Sequence, residues 1–177
     1  MRFSWLITRP LLLALLLSGC GKKDSSVSPN ATPDGTVTWT VGGQTYTSTT
    51  LAAAPTGPGD NIGIVGTTDD KNTVVLISLP GIEAKGAGSY QLTQPTSANS
   101  SPPAATLSLN QNSAAQATQY TTTMGPGTNN GAVTVTQYDK ANQKISGTFS
   151  FTAKNAPGFP TGTQTVTNGS FSFTRFR

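Results

Sequence analysis

The sequence predicts an all-β domain, an antiparallel β-sandwich or flattened β-barrel of about eight or nine strands. Three observations predict it. From Thr36 onward apolar residues recur with period two, and no helical stripe appears. Thr, Val, Ile, Phe and Tyr dominate those stretches, and the 177 residues include 30 Thr and 17 Ser. Gly, Pro, Asn and Asp interrupt the alternation at short intervals. Only 10% of the chain is charged, against roughly 25% in an average soluble protein.

Each element follows from its local pattern. In Thr36–Ser48, Val37, Trp39 and Val41 share one face, and Gly42-Gly43 supplies a two-residue turn whose positions need positive φ. That register sets Trp39 opposite Tyr46. In Asn61–Leu79, Asp69-Asp70-Lys71-Asn72 makes the turn. Val74, Val75, Leu76 and Ile77 are apolar on both faces, which reads as a central, covered strand. Ser89–Leu92, Ala105–Leu109 and Gln119–Thr123 are weaker strands. Ala52–Gly59 and residues 94–104 and 110–117 read as loops.

The last third is the clearest. Gly131–Tyr138 is a strand, Asp139–Gln143 a turn, and Lys144–Ala153 the return strand, with Ile145, Phe149 and Phe151 on one face. A loop over Asn155–Gly162 leads to a final strand over Gln164–Phe176. Phe171 and Phe173 continue the alternation but Val166 is out of phase, so a β-bulge is expected at Asn168-Gly169. The result is a three-strand meander with a phenylalanine-lined inner face. Thr36–Arg177 holds only 26 Val, Ile, Leu, Phe and Trp residues. So small a set is used up in filling its own interior, which favours a packed sandwich over a hollow barrel.

The N-terminus sets the compartment. Met1–Arg9 carries two arginines and no acid, Leu11–Leu17 is unbroken apolar sequence, and Ser18-Gly19-Cys20 follows. That is a secretory leader, too short to span a bilayer. Leu17-Ser18-Gly19-Cys20 resembles a bacterial lipobox. The resemblance implies that residues 1–19 are a lipoprotein signal peptide. It makes Leu17, Ser18 and Gly19 the signal-peptidase recognition residues and puts a thioether-linked diacylglycerol on Cys20. An acylated new N-terminus gives a stable membrane anchor. Residues 20–35 are short and polar with two prolines and read as a flexible linker; residues 36–177 are the all-β domain. Gly21 follows the cysteine instead of the Asp of inner-membrane retention, and Asp24 is the one acid nearby. The expectation is the outer membrane, facing the periplasm, with surface exposure left open.

The C-terminal strands resemble a group of uncharacterised lipoproteins of the Bacteroidota. The shared motifs are Gly131-Ala132-Val133-Thr134-Val135, Tyr138-Asp139, Ile145-Ser146-Gly147-Thr148-Phe149-Ser150-Phe151 and Val166-Thr167-Asn168-Gly169-Ser170-Phe171. Gly42-Gly43-Gln44-Thr45-Tyr46 and Gly88-Ser89-Tyr90-Gln91-Leu92 are similar too. The resemblance implies no activity and no catalytic residue.

Composition narrows the chemistry. The chain has no histidine, one cysteine and seven acids. Without histidine there is no Ser-His-Asp or Cys-His pair and no common zinc set. One cysteine makes no internal disulfide and no multi-cysteine metal site. No cofactor is expected. The net charge of +4 falls to +2 once Arg2 and Arg9 leave with the leader, and the remaining cations are scattered, so no nucleic-acid partner is expected.

Four candidate sites remain. Asp69, Asp70 and Asn72 offer turn oxygens to calcium, but no calcium-loop spacing surrounds them, and a plain hairpin turn is the preferred reading. Asp60, Glu83 and Asp139 are the other domain acids. Two of them could pair as glycosidase carboxylates, though nothing in the sequence brings any two together. Trp39, Tyr46, Tyr90, Tyr120 and Tyr138 could line a sugar- or lipid-binding face; packing is favoured for Trp39 and Tyr46, and Tyr120 and Tyr138 are freer to be exposed. Arg175-Phe176-Arg177 is either a contact for lipid headgroups or a frayed, edge-blocking end. The preferred function is a non-enzymatic envelope module that binds a protein or glycan partner. The alternatives are a calycin-like carrier of a small apolar ligand and, last, a histidine-free hydrolase.

Overall fold

The computed structural model describes residues 34–159 and 161–177. The leader, the lipobox residues Leu17, Ser18, Gly19 and Cys20, and the linker up to residue 33 lie outside the described residues.

The elements in chain order are β1 (Gly35–Val41), β2 (Gln44–Ser48), β3 (Leu51–Ala53), β4 (Thr56–Gly57), β5 (Asn61–Thr67) and β6 (Val74–Pro80). A one-turn helix α1 (Ile82–Lys85) precedes β7 (Gly88–Thr93), β8 (Ala104–Leu109) and β9 (Thr118–Thr121). A 3-10 turn (Thr122–Met124) leads to β10 (Asn129–Asp139), β11 (Lys144–Asn155) and β12 (Thr163–Phe173). The strands form one antiparallel sheet in the order β2-β1-β12-β11-β9-β8-β6-β5-β3, which curls into a nearly closed barrel. Beside that path, β10 pairs with the first part of β11 and carries β7 on its far edge, and β4 pairs with β5.

The ends of the path meet at a seam. Ser48, at the end of β2 and fully buried, accepts a hydrogen bond from the Thr67 amide of β5 at 3.0 Å. Thr67 also faces Leu51 of β3 in the ladder. Gly66 makes room at this seam, because a Cβ there would lie 2.8 Å from Val37 and 3.0 Å from the Trp39 ring.

The local chemistry behaves as expected in most strands. Gly42 and Gly43 take φ of 60° and 80° between β1 and β2, and Trp39 pairs with Tyr46. Their rings stack at 5.7 Å and 20°. Ile145, Gly147, Phe149, Phe151 and Ala153 alternate inward along β11. In β12 the buried positions run Val166, Gly169, Phe171, Phe173, and the register to both neighbours shifts between Thr167 and Ser170 on one side and between Val166 and Gly169 on the other. The extra residue of the bulge therefore sits where the phase break put it, with Asn168 at φ 50°.

Three expectations need correction. The domain is a single curled sheet and not two stacked sheets, so the barrel form of the prediction holds. Ala52–Gly59 is not all loop: β3 and β4 each add a short rung to β5. And β6 is central in pairing, between β5 and β8, but its outer face is open, with Leu76 42% exposed. Its apolar outer residues are there for β propensity rather than burial.

The interior is packed. Val37, Trp39, Ile64, Val75, Ile77, Leu79, Leu92, Leu107, Val133 and Ile145 have no accessible surface. No water-sized space therefore adjoins any of them.

Candidate cleft at one end of the barrel

One end of the barrel gathers most of the polar chemistry. β1, β5, β7 and β11 start there, and β6, β10 and β12 finish there, as the pairs Gly35 with Phe173, Ile145 with Phe173, Asn61 with Pro80 and Val135 with Gly88 require. The loops at that end enclose a cleft of about 400 Å³.

Each wall has a reason. Gly59 and Asp60 turn the chain into β5 at positive φ (71° and 61°). The Asp60 carbonyl then accepts from Gly81 N at 2.8 Å, and its carboxylate accepts from Glu83 N at 2.7 Å. This side chain satisfies an amide at the start of α1 that the helix itself leaves unpaired. The turn so fixed presents Glu83, which pairs with Lys140 from the β10–β11 turn. Tyr138, at the end of β10, is half-buried and stacks on Phe176 at 5.6 Å and 13°. Ile62 and Ile82, almost fully buried, form the apolar floor.

The last residues of the chain form the remaining wall. Phe176 N donates to Gln143 O at 2.9 Å and Arg177 N to Ala54 O at 3.0 Å, while Thr56 N donates to Arg177 O. Phe176 is 5% exposed. Arg177 pairs with the Asp34 carboxylate through its Nε at 2.9 Å and through its Nη2, and Arg175 reaches the same carboxylate at 3.3 Å. The segment is thus neither frayed nor a free cationic patch. It crosses the barrel end and closes it, because the Phe176 ring needs burial and each arginine finds Asp34.

The electrostatics are local. Burial pushes the Tyr138 phenol above its ordinary pKa, and the Glu83 carboxylate adds to the shift while Lys140 opposes it. Burial also raises Tyr90, with Asp60 contributing. The hydrogen bond to Glu83 raises Lys140. Tyr138 therefore stays a neutral hydroxyl that both donates and accepts.

The sequence-derived candidates sort as follows. Asp60 and Glu83 do share the cleft, a meeting that no spacing in the chain announces. Asp69 and Asp70 lie at the opposite end of the barrel, in the β5–β6 turn. Asp70 accepts from the Thr68 hydroxyl and from Asn72 N at 3.0 Å. Asp139 accepts from Asn142 N at 3.0 Å and from its side-chain amide at 2.7 Å. Among the described residues no three of His, Cys, Asp and Glu cluster to hold a metal. Trp39 and Tyr90 are core residues, and Tyr90 donates to Gly86 O at 2.6 Å. Tyr120, expected to be free, is 9% exposed and packs in the core; Tyr138 alone of the five lines the cleft. Sequence reasoning missed Lys140, Gln143 and Thr56, which are ordinary turn and edge residues until the barrel curls.

The two turn acids yield a prediction. Hydrogen bonds, first from the Thr68 side chain for Asp70 and from the Asn142 side chain for Asp139, hold both carboxyls below the ordinary value of 3.8. A depressed folded-state pKa means that the bonds support the turn above 3.8 and are lost only as pH falls through the lower folded value. Carboxyl carbon NMR titration is expected to give midpoints under 3.8 for both. A midpoint at or above 3.8 contradicts the turn geometry.

Further concavities lie among the described residues. A groove of about 580 Å³ runs over Thr152, Thr165 and Thr167 beside the loop at Pro126. A smaller one of about 260 Å³ lies between Met124 and Phe159, with the buried side-chain carboxamide of Asn155 making no hydrogen bond among the described residues.

A family model described as a domain of unknown function, DUF6252, matches residues 34–174. This chain belongs to the DUF6252 family. The DUF6252 match takes in every strand from β1 to β12 and the cleft residues Asp60, Glu83, Tyr138 and Lys140, and stops short of Phe176 and Arg177. No curated protein and no solved structure matched the chain.

Proposed function

We propose that this protein is a lipid-anchored module of the cell envelope that binds a ligand at the barrel-end cleft without transforming it. The observation that carries the reading is the state of the cleft's charged groups. Asp60 is committed to the α1 turn, Glu83 and Lys140 to each other, and Arg177 to Asp34. Groups held this way are preorganised for recognition. A hydrolytic pair needs one carboxyl poised to give up a proton and another free to attack or activate water. Asp60 and Glu83 share a cleft but neither is free for that work.

The burial of Val37, Trp39, Ile64, Val75, Ile77, Leu79, Leu92, Leu107, Val133 and Ile145, none of which has accessible surface, disfavours the carrier alternative. A glycan or a partner protein of the envelope meets the cleft from outside. The anchor comes from the lipobox resemblance at Leu17-Ser18-Gly19-Cys20. The chain enters β1 through Asp34, at the same end as the cleft. The outer membrane, with the domain on the periplasmic side, is the location proposed.

Anchoring is tested with Cys20→Ala. Wild-type protein is expected to take up labelled palmitate and to sediment with membranes. The variant is expected to do neither, since without the acyl chains no strong membrane affinity remains. Labelled palmitate in Cys20→Ala would overturn the anchor.

A further inference from the structure

We propose that the barrel-end cleft takes a neutral saccharide. The inference rests on the reading of this cleft as a binding site and adds the class of ligand.

Charge balance is the first argument. Both cations that line the cleft are engaged, Lys140 by Glu83 and Arg177 by Asp34, and the remaining carboxylate, Asp60, accepts from Glu83 N. An anionic ligand would meet the Asp60 carboxylate and find the cations neutralised. A cationic ligand would find one carboxylate without an ionic partner, beside the ammonium of Lys140 and the guanidinium of Arg177. A neutral ligand meets neither penalty.

Hydrogen-bonding capacity is the second. Gln143, Thr56 and Tyr138 each bring a donor and an acceptor to the cleft wall, and Asn61, whose Oδ1 accepts from the Ser78 hydroxyl at 3.1 Å, brings its side-chain N–H donors. An ionised carboxylate has about four acceptor sites, and the bond from Glu83 N uses one of those of Asp60. Such a surface suits a ligand whose every group both donates and accepts, which is the property of a hydroxyl. It suits an apolar ligand badly, since these groups would be left unpaired.

Shape is the third. The Tyr138 ring is backed by Phe176 at 5.6 Å, above the apolar floor of Ile62 and Ile82. The cleft therefore pairs a flat apolar plate with a polar rim. A pyranose ring has the complementary anatomy, with a C–H face and a hydroxylated edge. The volume of about 400 Å³ falls within the ~300–1,000 Å³ of small-ligand sites. The groove at Thr152, Thr165 and Thr167 and the concavity between Met124 and Phe159 do not combine these features: the first carries no exposed aromatic, and the second has no carboxylate.

The test uses the full-length protein extracted from membranes in detergent. A glycan array with neutral and acidic oligosaccharides side by side is followed by calorimetry with cellobiose, maltotriose, diacetylchitobiose, a glutamyl-lysine dipeptide and inorganic phosphate. Binding of at least one neutral saccharide is expected. Tyr138→Ala should weaken it tenfold or more and Tyr138→Phe by less. Asp60→Asn keeps the acceptor for Glu83 N, and should weaken binding severalfold without a change in melting temperature. Saccharide binding that ignores both Tyr138→Ala and Asp60→Asn overturns the assignment. Binding only of acidic glycans, dipeptide or phosphate, if sensitive to Asp60→Asn, overturns the ligand class and leaves the cleft as a binding site. No binding by any probe overturns both. Cleavage of a bound neutral saccharide upholds the ligand class and overturns the non-catalytic reading.

Discussion

Trp39→Ala is expected to lower the unfolding free energy by about 3–5 kcal/mol, the range for truncating a buried Phe or Trp to alanine. Trp39 is fully buried, stacks on Tyr46 and reaches across the barrel seam to the backbone of Gly66. Its loss opens a cavity at the seam where β1 meets β5, and no ladder pairs those two strands to compensate. Trp39→Phe separates packing from polarity. The Trp39 Nε1 atom is buried with no hydrogen-bond partner, and an unmade bond of that kind costs about 1–3 kcal/mol. Removing it offsets part of the lost contact area, so Trp39→Phe should cost less than half of the alanine loss. Urea denaturation followed by far-UV circular dichroism measures both. A Trp39→Ala loss below about 1 kcal/mol would contradict the seam account.

Gly169→Val is expected to destabilise the domain by about 3 kcal/mol, at the upper end for overpacking. A Cβ at Gly169 would sit 2.4 Å from two atoms of the Phe149 ring. That ring cannot swing aside cheaply, because it stacks between Phe151 at 6.2 Å and Phe171 at 6.4 Å. The bulge and the aromatic cluster are therefore one device. Asn168 takes up the extra residue, Gly169 restores the inward phase, and Phe149 covers the glycine. Thermal denaturation is the readout. An unchanged melting temperature would mean that the register of β12 differs from the one described.

How much of this was legible in the sequence depends on the range of the interaction. The Trp39–Tyr46 pair follows from a two-residue glycine turn, and the bulge from a single break in alternation at Val166. Both are local rules that need no knowledge of the neighbours. The curl of the sheet was not local. β3 and β4 are short rungs in Ala- and Pro-containing sequence, and only their pairing with β5 makes them strands. The same holds for the C-terminal segment. Arg175-Phe176-Arg177 looked like a loose end, and its partners Asp34, Ala54, Thr56 and Gln143 lie up to 143 residues away. The cleft inherits that difficulty. Asp60 and Glu83 were visible as acids, but their meeting depends on the Asp60 turn holding α1 against the start of β5. Tyr138 and Tyr120 look equivalent in sequence, and differ because β9 is flanked by β8 and β11 while Tyr138 stands at the barrel end.

The absence of histidine and the low charge acquire a more specific meaning. The few charged residues of the domain are concentrated at its two ends, and at the cleft end Glu83 pairs with Lys140, Asp34 with both arginines, and Asp60 with a backbone N–H, around an aromatic plate.

The central claim is that ligand engages the protein at this cleft on the membrane. Site-specific photocrosslinking in living cells tests it most directly, with a benzophenone amino acid placed at Lys140 on the cleft rim or at the exposed Leu76 of β6, outside the cleft. The account predicts adduct mass on the tryptic peptide bearing position 140 and none on the peptide bearing position 76. Adducts at 76 alone, or at neither position, would contradict it.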